Sequence, residues 1–257
     1  MLKIIKVEFT KLKRYFIVWI GMALMLLTVL LTLFTSMAND GSVWNFQVLI
    51  EQVIKNLVTL TFPMCIALIT GYMISRETID DTLKSIVTVP VSFQKLMIGK
   101  LIVSAILSLF LGIICCVLTI IANFIMGFGG FTLSSAIADA GKMALLALYI
   151  YFAVLPIIVI TSNIRNGALI GVVLALVYGF LGMFTMGDLS SIYPPSAALG
   201  LIQYRSYDSG VNWNTPLCAL SIMSMLGISI IVIFLQKPNI KKDKRLNTKR
   251  TAPKKGW

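Results

Sequence analysis

The residues with chemistry to offer lie in two places. Between the second and third of six long apolar runs, the segment Ser75-Arg76-Glu77-Thr78-Ile79-Asp80-Asp81-Thr82-Leu83-Lys84-Ser85-Ile86-Val87-Thr88-Val89-Pro90 reads as a short helix lying parallel to a membrane. Ile79, Leu83 and Ile86 share one face, while Glu77, Asp80, Asp81 and Lys84 mark the polar side; Pro90 stops it, having no amide hydrogen to donate. Acids concentrated in otherwise basic surroundings either offer charge-assisted contacts to a partner or merely solvate the end of a span. The second group is weakly polar. Ser104, Ser108, Gly112, Cys115, Thr119 and Asn123 fall within about 100° of one helical face, and Gly21, Thr28, Thr32 and Thr35 do likewise. Such stripes line a pathway for an amphipathic substrate, with Thr28, Thr32, Ser104, Ser108, Thr119 and Asn123 as its candidates, or they form interhelical hydrogen-bonding seams, the use favoured here.

Other chemistries are harder to build. With no histidine, neither a Ser-His-Asp nor a Cys-His arrangement exists. Cys65, Cys115, Cys116 and Cys218 all lie inside apolar runs, which indicates packing residues and neither a disulfide framework nor a metal site. The apolar runs also contain no Asp, Glu, Lys or Arg, whereas proton- and ion-coupled carriers usually keep an ionisable group at membrane depth.

The elements that must position these residues are the runs themselves: 15–37, 57–74, 101–124, 143–160, 168–186 and 215–235. About 20 helical residues cross a ~30 Å hydrocarbon core. Lipid offers backbone amides no partners, so the runs should be helices and the fold an all-α polytopic membrane protein. Composition agrees, with 58% hydrophobic and 12% charged residues and a mean hydropathy of +0.92. All but Lys55, Lys142 and Arg205 of the 22 basic residues fall on one alternating set of connections, which places both termini in the cytoplasm. The net charge of +12 is therefore a topology signal and does not indicate nucleic-acid binding.

At the N-terminus, Leu2, Ile5, Phe9, Leu12 and Phe16 recur at helical spacing opposite Lys3, Lys6, Lys11 and Lys13, which reads as an interfacial helix over residues 1–14. The apolar run that follows is too long for a secretory h-region of ~7–15 residues, so it should remain as an anchor. Residues 1–236 thus form one transmembrane domain and 237–257 a basic cytoplasmic tail suited to anionic lipid. Span five carries small residues at every fourth position, Gly167, Gly171, Ala175 and Gly179, a pattern of close helix contact. Its partner helix belongs either to this chain or, as favoured here, to a second subunit. Pro63 and Pro156 each delete a backbone donor and should bend spans two and four.

Arg76-Glu77, Thr82-Leu83, Pro90-Val91-Ser92 and Gly99-Lys100 together resemble the signature after the second span of ABC-2-type transporter permeases. The opening Glu8-Phe9-Thr10-Lys11-Leu12-Lys13-Arg14 is similar to the start of small Gram-positive bacitracin-resistance and lantibiotic-immunity permeases. Asp81 stands where that family usually has glycine.

The resemblance implies the permease subunit of an ATP-driven exporter in a bacterial plasma membrane, moving an amphipathic, toxin-like or antimicrobial peptide outward. Arg76, Glu77, Asp80, Asp81, Thr82, Leu83 and Pro90 would form its coupling helix. The partners implied are a separate ATPase in two copies, which would bind ATP and Mg, and a second permease chain, identical or related. This chain has no phosphate-cradling loop of its own, since Gly99-Lys100 is followed by Leu101 and lacks the upstream glycine. A carrier or channel working without ATP is the alternative.

Overall fold

The computed structural model describes residues 2–37, 43–79, 93–162, 164, 167–204 and 213–235, with the backbone alone at 77–79 and 93. Every regular element among them is helical: α1 (Leu2–Leu12), α2 (Ile17–Ser36), α3 (Phe46–Asn56), a π turn (Leu57–Thr61), α4 (Phe62–Ile79), α5 (Phe93–Met126), α6 (Leu133–Thr161), α7 (Gly167–Leu181), α8 (Leu189–Ile192), α9 (Pro194–Leu201) and α10 (Thr215–Leu235). Six helical stretches among the described residues are long and apolar enough to cross a membrane: α2, the α3–α4 unit, α5, α6, α7 together with the 3-10 turn that follows it (Gly182–Phe184), and α10. They form an up-and-down bundle. The α3–α4 unit is its centre, with 78% of its most apolar window buried, whereas α7 is peripheral, with 22%.

The α3–α4 unit, α5 and α6 run past the apolar stretches that announced them. Asn45 caps α3 by accepting a hydrogen bond from the Val48 amide at 2.9 Å, which satisfies a first-turn donor. Phe46, Leu49, Ile50, Val53 and Ile54 then turn one face into the core. Thr132 caps α6 in the same way, at 3.3 Å from the Ser135 amide. These extensions correct the expectation of spans free of ionisable groups: Glu51, Lys100 and Asp139 all lie within spanning helices and are buried. Asp139 meets Lys142 at 3.4 Å, one helical turn on.

Irregularity in span two takes the form of the π turn just before Pro63, whereas α6 continues through Pro156. A one-residue widening before proline accommodates a ring that cannot donate to the preceding turn.

The small-residue face of α7, read from sequence as a surface of close helix contact, meets other helices of this chain. A Cβ at Gly179 would stand 2.7 Å from Pro63 Cγ and 2.8 Å from the Thr59 carbonyl oxygen; one at Gly171 would stand 2.7 Å from Thr161 Oγ1. Gly167 similarly abuts the Thr161 carbonyl, and Ala175 is fully buried. At Gly179 only a residue without a side chain can seat α7 against the wall formed by the π turn and Pro63.

After α7 the chain tucks inward. Pro194 and Pro195 open α9, where missing amide hydrogens cost nothing, and Ser196, Ala197, Ala198 and Gly200 are buried. Ser221 donates to the Ile192 carbonyl at 2.6 Å and Tyr204 to the Glu51 carbonyl at 3.2 Å, stitching this insert to α10 and α3. Burial pushes the Tyr193 phenol up to about 12, so it stays protonated and donates to the Tyr178 carbonyl at 2.7 Å.

Candidate functional site: a charged joint between three helices

The inner face of α1 sets Ile5, Glu8 and Leu12 at spacings of three and four, so a carboxylate stands on the face that packs against α5. Close approach is permitted by Gly99, where a Cβ would fall 2.7 Å from Ile4 Cγ2. One residue on, Lys100 sends its ammonium into the contact. Its Nζ lies 3.1 Å from Glu8 Oε2 and donates to the Met73 carbonyl of α4 at 3.0 Å. Lys11 holds the other carboxylate oxygen at 2.8 Å. Glu8 is 1% exposed and Lys100 2%.

Both charges have left water, and each is compensated by an opposite charge and further hydrogen bonds, the condition under which a buried ion pair persists. Lys100 thereby joins α1, the tail of α4 and the head of α5 through one atom.

Arg76, the last fully described residue of α4, adds a second tie. Its guanidinium stacks 4.5 Å from the ring centre of Tyr15, in the link between α1 and α2, and donates to Tyr72 OH at 3.1 Å. Tyr15 and Tyr72 meet edge to face at 5.8 Å. The α4 tail is thus tied both to α1 and to the link that precedes span one. Among the coupling residues expected from sequence, Arg76 is placed here; Glu77 is described in backbone alone, and Asp80, Asp81, Thr82, Leu83 and Pro90 lie outside the described residues.

Glu8 and Lys100 were not among the expected site residues. The available signal was an acid on the apolar side of a basic helix, together with a lysine opening an apolar run.

The polar stripes are engaged within the chain. Thr28 donates to Thr61 Oγ1 of the π turn at 2.8 Å, and Asn56 donates to Thr32 at 2.9 Å. Ser104 and Tyr151 share a 3.1 Å hydrogen bond beside the Leu101 carbonyl. Ser108 and Thr119 bond back to Ala105 and Cys115 carbonyls, and the Asn123 amide reaches the Phe128 carbonyl at 3.4 Å. All six are buried.

A family model described as "ABC-2 family transporter protein" matches residues 4–182, which include both halves of the joint. Over 174 residues the chain is 25% identical to the bacitracin transport permease protein BCRB of Bacillus licheniformis, an alignment taking in 67% of this chain and 82% of the relative. No solved structure matches it.

Proposed function

We propose, from the premise that this chain belongs to the ABC-2 family of transporter proteins, that it is the permease subunit of an ATP-driven exporter for a peptide antibiotic or similar amphipathic molecule. Lys100 carries the reading. It ties α4, which leads into residues 80–92, to α1 and α5 at one end of the bundle. On this reading that end, with both chain termini, faces the cytoplasm of a bacterial cell. A separate ATPase in two copies binds ATP and Mg, docks on the segment after α4, and moves α1 and span one through the joint. The bacitracin transport relative makes a peptide of bacitracin's kind the first substrate to try.

Expressed with a partner ABC ATPase in a sensitive strain, the chain should raise the tolerated bacitracin concentration several-fold. The protection should vanish with a hydrolysis-deficient ATPase. Protection that survives that ATPase would favour a carrier independent of ATP.

A second permease chain, identical or related, completes the assembly in this reading. Because the small face of α7 is occupied internally, the outward faces of α2 and α7 are left for the partner, with Leu30 and Val173 near their middles and 52% and 62% exposed. Cysteines at Val173 in two differently tagged copies should crosslink, whereas cysteines at Gly171 should not. The native thiols must first be replaced. Crosslinking at Gly171 alone would return the interface to the small face.

A further inference from the structure

An open groove of about 360 Å³ runs along the outer side of α1, lined by Lys6, Val7, Thr10, Lys11 and Arg14. We propose that it binds the phosphate-bearing headgroup of an anionic phospholipid. The charge of its walls follows from the joint. Glu8 is the single acid in residues 1–14, and its carboxylate is drawn inward to Lys100 while Lys11 is paired with it, so Lys6 and Arg14 are the lining cations that this helix's own acid leaves to meet an anion. Thr10 gives its hydroxyl hydrogen to the Lys6 carbonyl at 2.8 Å, which leaves the binding of an anion to the basic side chains.

Position selects the source of that anion. Arg14 stands three residues before Ile17, the first residue of span one, across a non-helical link, which puts it within about 11 Å of the start of that span. That is the depth of lipid phosphates. Apolar side chains flank the cations: Val7, in the groove itself, is 54% exposed and Phe16 76%. Cations interleaved with exposed apolar groups suit a headgroup and its glycerol, and such helices lie in the interface plane. The inference does not depend on which substrate the protein moves.

The test titrates the purified full chain in detergent with phosphatidylglycerol, using phosphatidylcholine, inorganic phosphate and glycerol 3-phosphate as comparisons, and follows the thermal unfolding midpoint. A ligand of the folded state raises that midpoint by mass action. Phosphatidylglycerol should raise it and the other three should not.

Lys6→Gln with Arg14→Gln should move the half-maximal phosphatidylglycerol concentration up on the order of 20-fold, about five-fold for each cation at an anionic surface. Lys13→Gln, just past the end of α1 and outside the groove, should move it little. If the double variant already unfolds early in phosphatidylcholine, Arg14→Gln alone is read against the five-fold expectation. Three results would overturn the proposal: an equal response to the soluble phosphates, an equal loss in Lys13→Gln, or an unchanged titration in the groove variants. An unchanged titration accompanied by lost association with the ATPase would make the groove a protein-docking surface instead.

Discussion

Glu8→Ala should cost ~3–5 kcal/mol of stability and abolish transport, because it leaves the Lys100 ammonium buried without its carboxylate. Lys100→Met should be milder, since Glu8 keeps Lys11 at 2.8 Å. Glu8→Leu combined with Lys100→Met should recover much of the lost stability, as apolar replacement of a whole buried pair is often neutral or better. It should not recover transport if the joint transmits movement, because the Met73 carbonyl loses its donor along with the pair. Thermal unfolding in detergent and export with the ATPase present separate the two effects. A Glu8→Ala protein that unfolds with the native one would show that the carboxylate is hydrated in the membrane-embedded chain. Transport restored in the double variant would reduce the joint to packing.

Gly179→Leu should destabilise the isolated chain by at least the ~3 kcal/mol at the upper end for overpacking, because its new atoms meet the Thr59 carbonyl and the Pro63 ring, neither of which can rotate away. Gly171→Leu should do less harm, since it meets a threonine side chain that can change rotamer. Val177→Leu, on the exposed side of the same helix, should stay within about 0.5 kcal/mol. The measurement is the unfolding midpoint and monodispersity of a single chain in detergent. Should Gly179→Leu leave a stable monomer and abolish only pairing, the small face belongs to a subunit contact after all.

These two sites also show where the sequence was legible. The six spans could be read because hydrocarbon requires long apolar runs. Their ends could not, because a helix continues into polar sequence wherever one face still packs, as in the Phe46–Ile54 stripe of α3. The glycine run of α7 announced close packing, but spacing describes one surface only; that Pro63 and Thr59 meet it is a property of two helices. Glu8 and Lys100 are 92 residues apart. Each stood in a motif with a recognisable resemblance, yet nothing local states that they touch. The stripe of Thr28 and Thr32 was equally readable as polarity, and only the position of Thr61 and Asn56 shows what it bonds within the chain.

Helix length has a consequence for depth. α5 has 34 residues and α6 has 29, which at ~1.5 Å per residue is about 51 and 44 Å, against roughly 30 Å of hydrocarbon. Standing upright and centred, each overshoots the oily layer by about 7–10 Å at either end. Lys100 comes seven residues after the start of α5 and Asp139 six after the start of α6, so each sits about 10 Å along its helix, level with the rim of that layer. Among the described residues the bundle thus keeps its charges toward its two rims, so an ion hopping between fixed charges would have to cross the interval between those rims in one step.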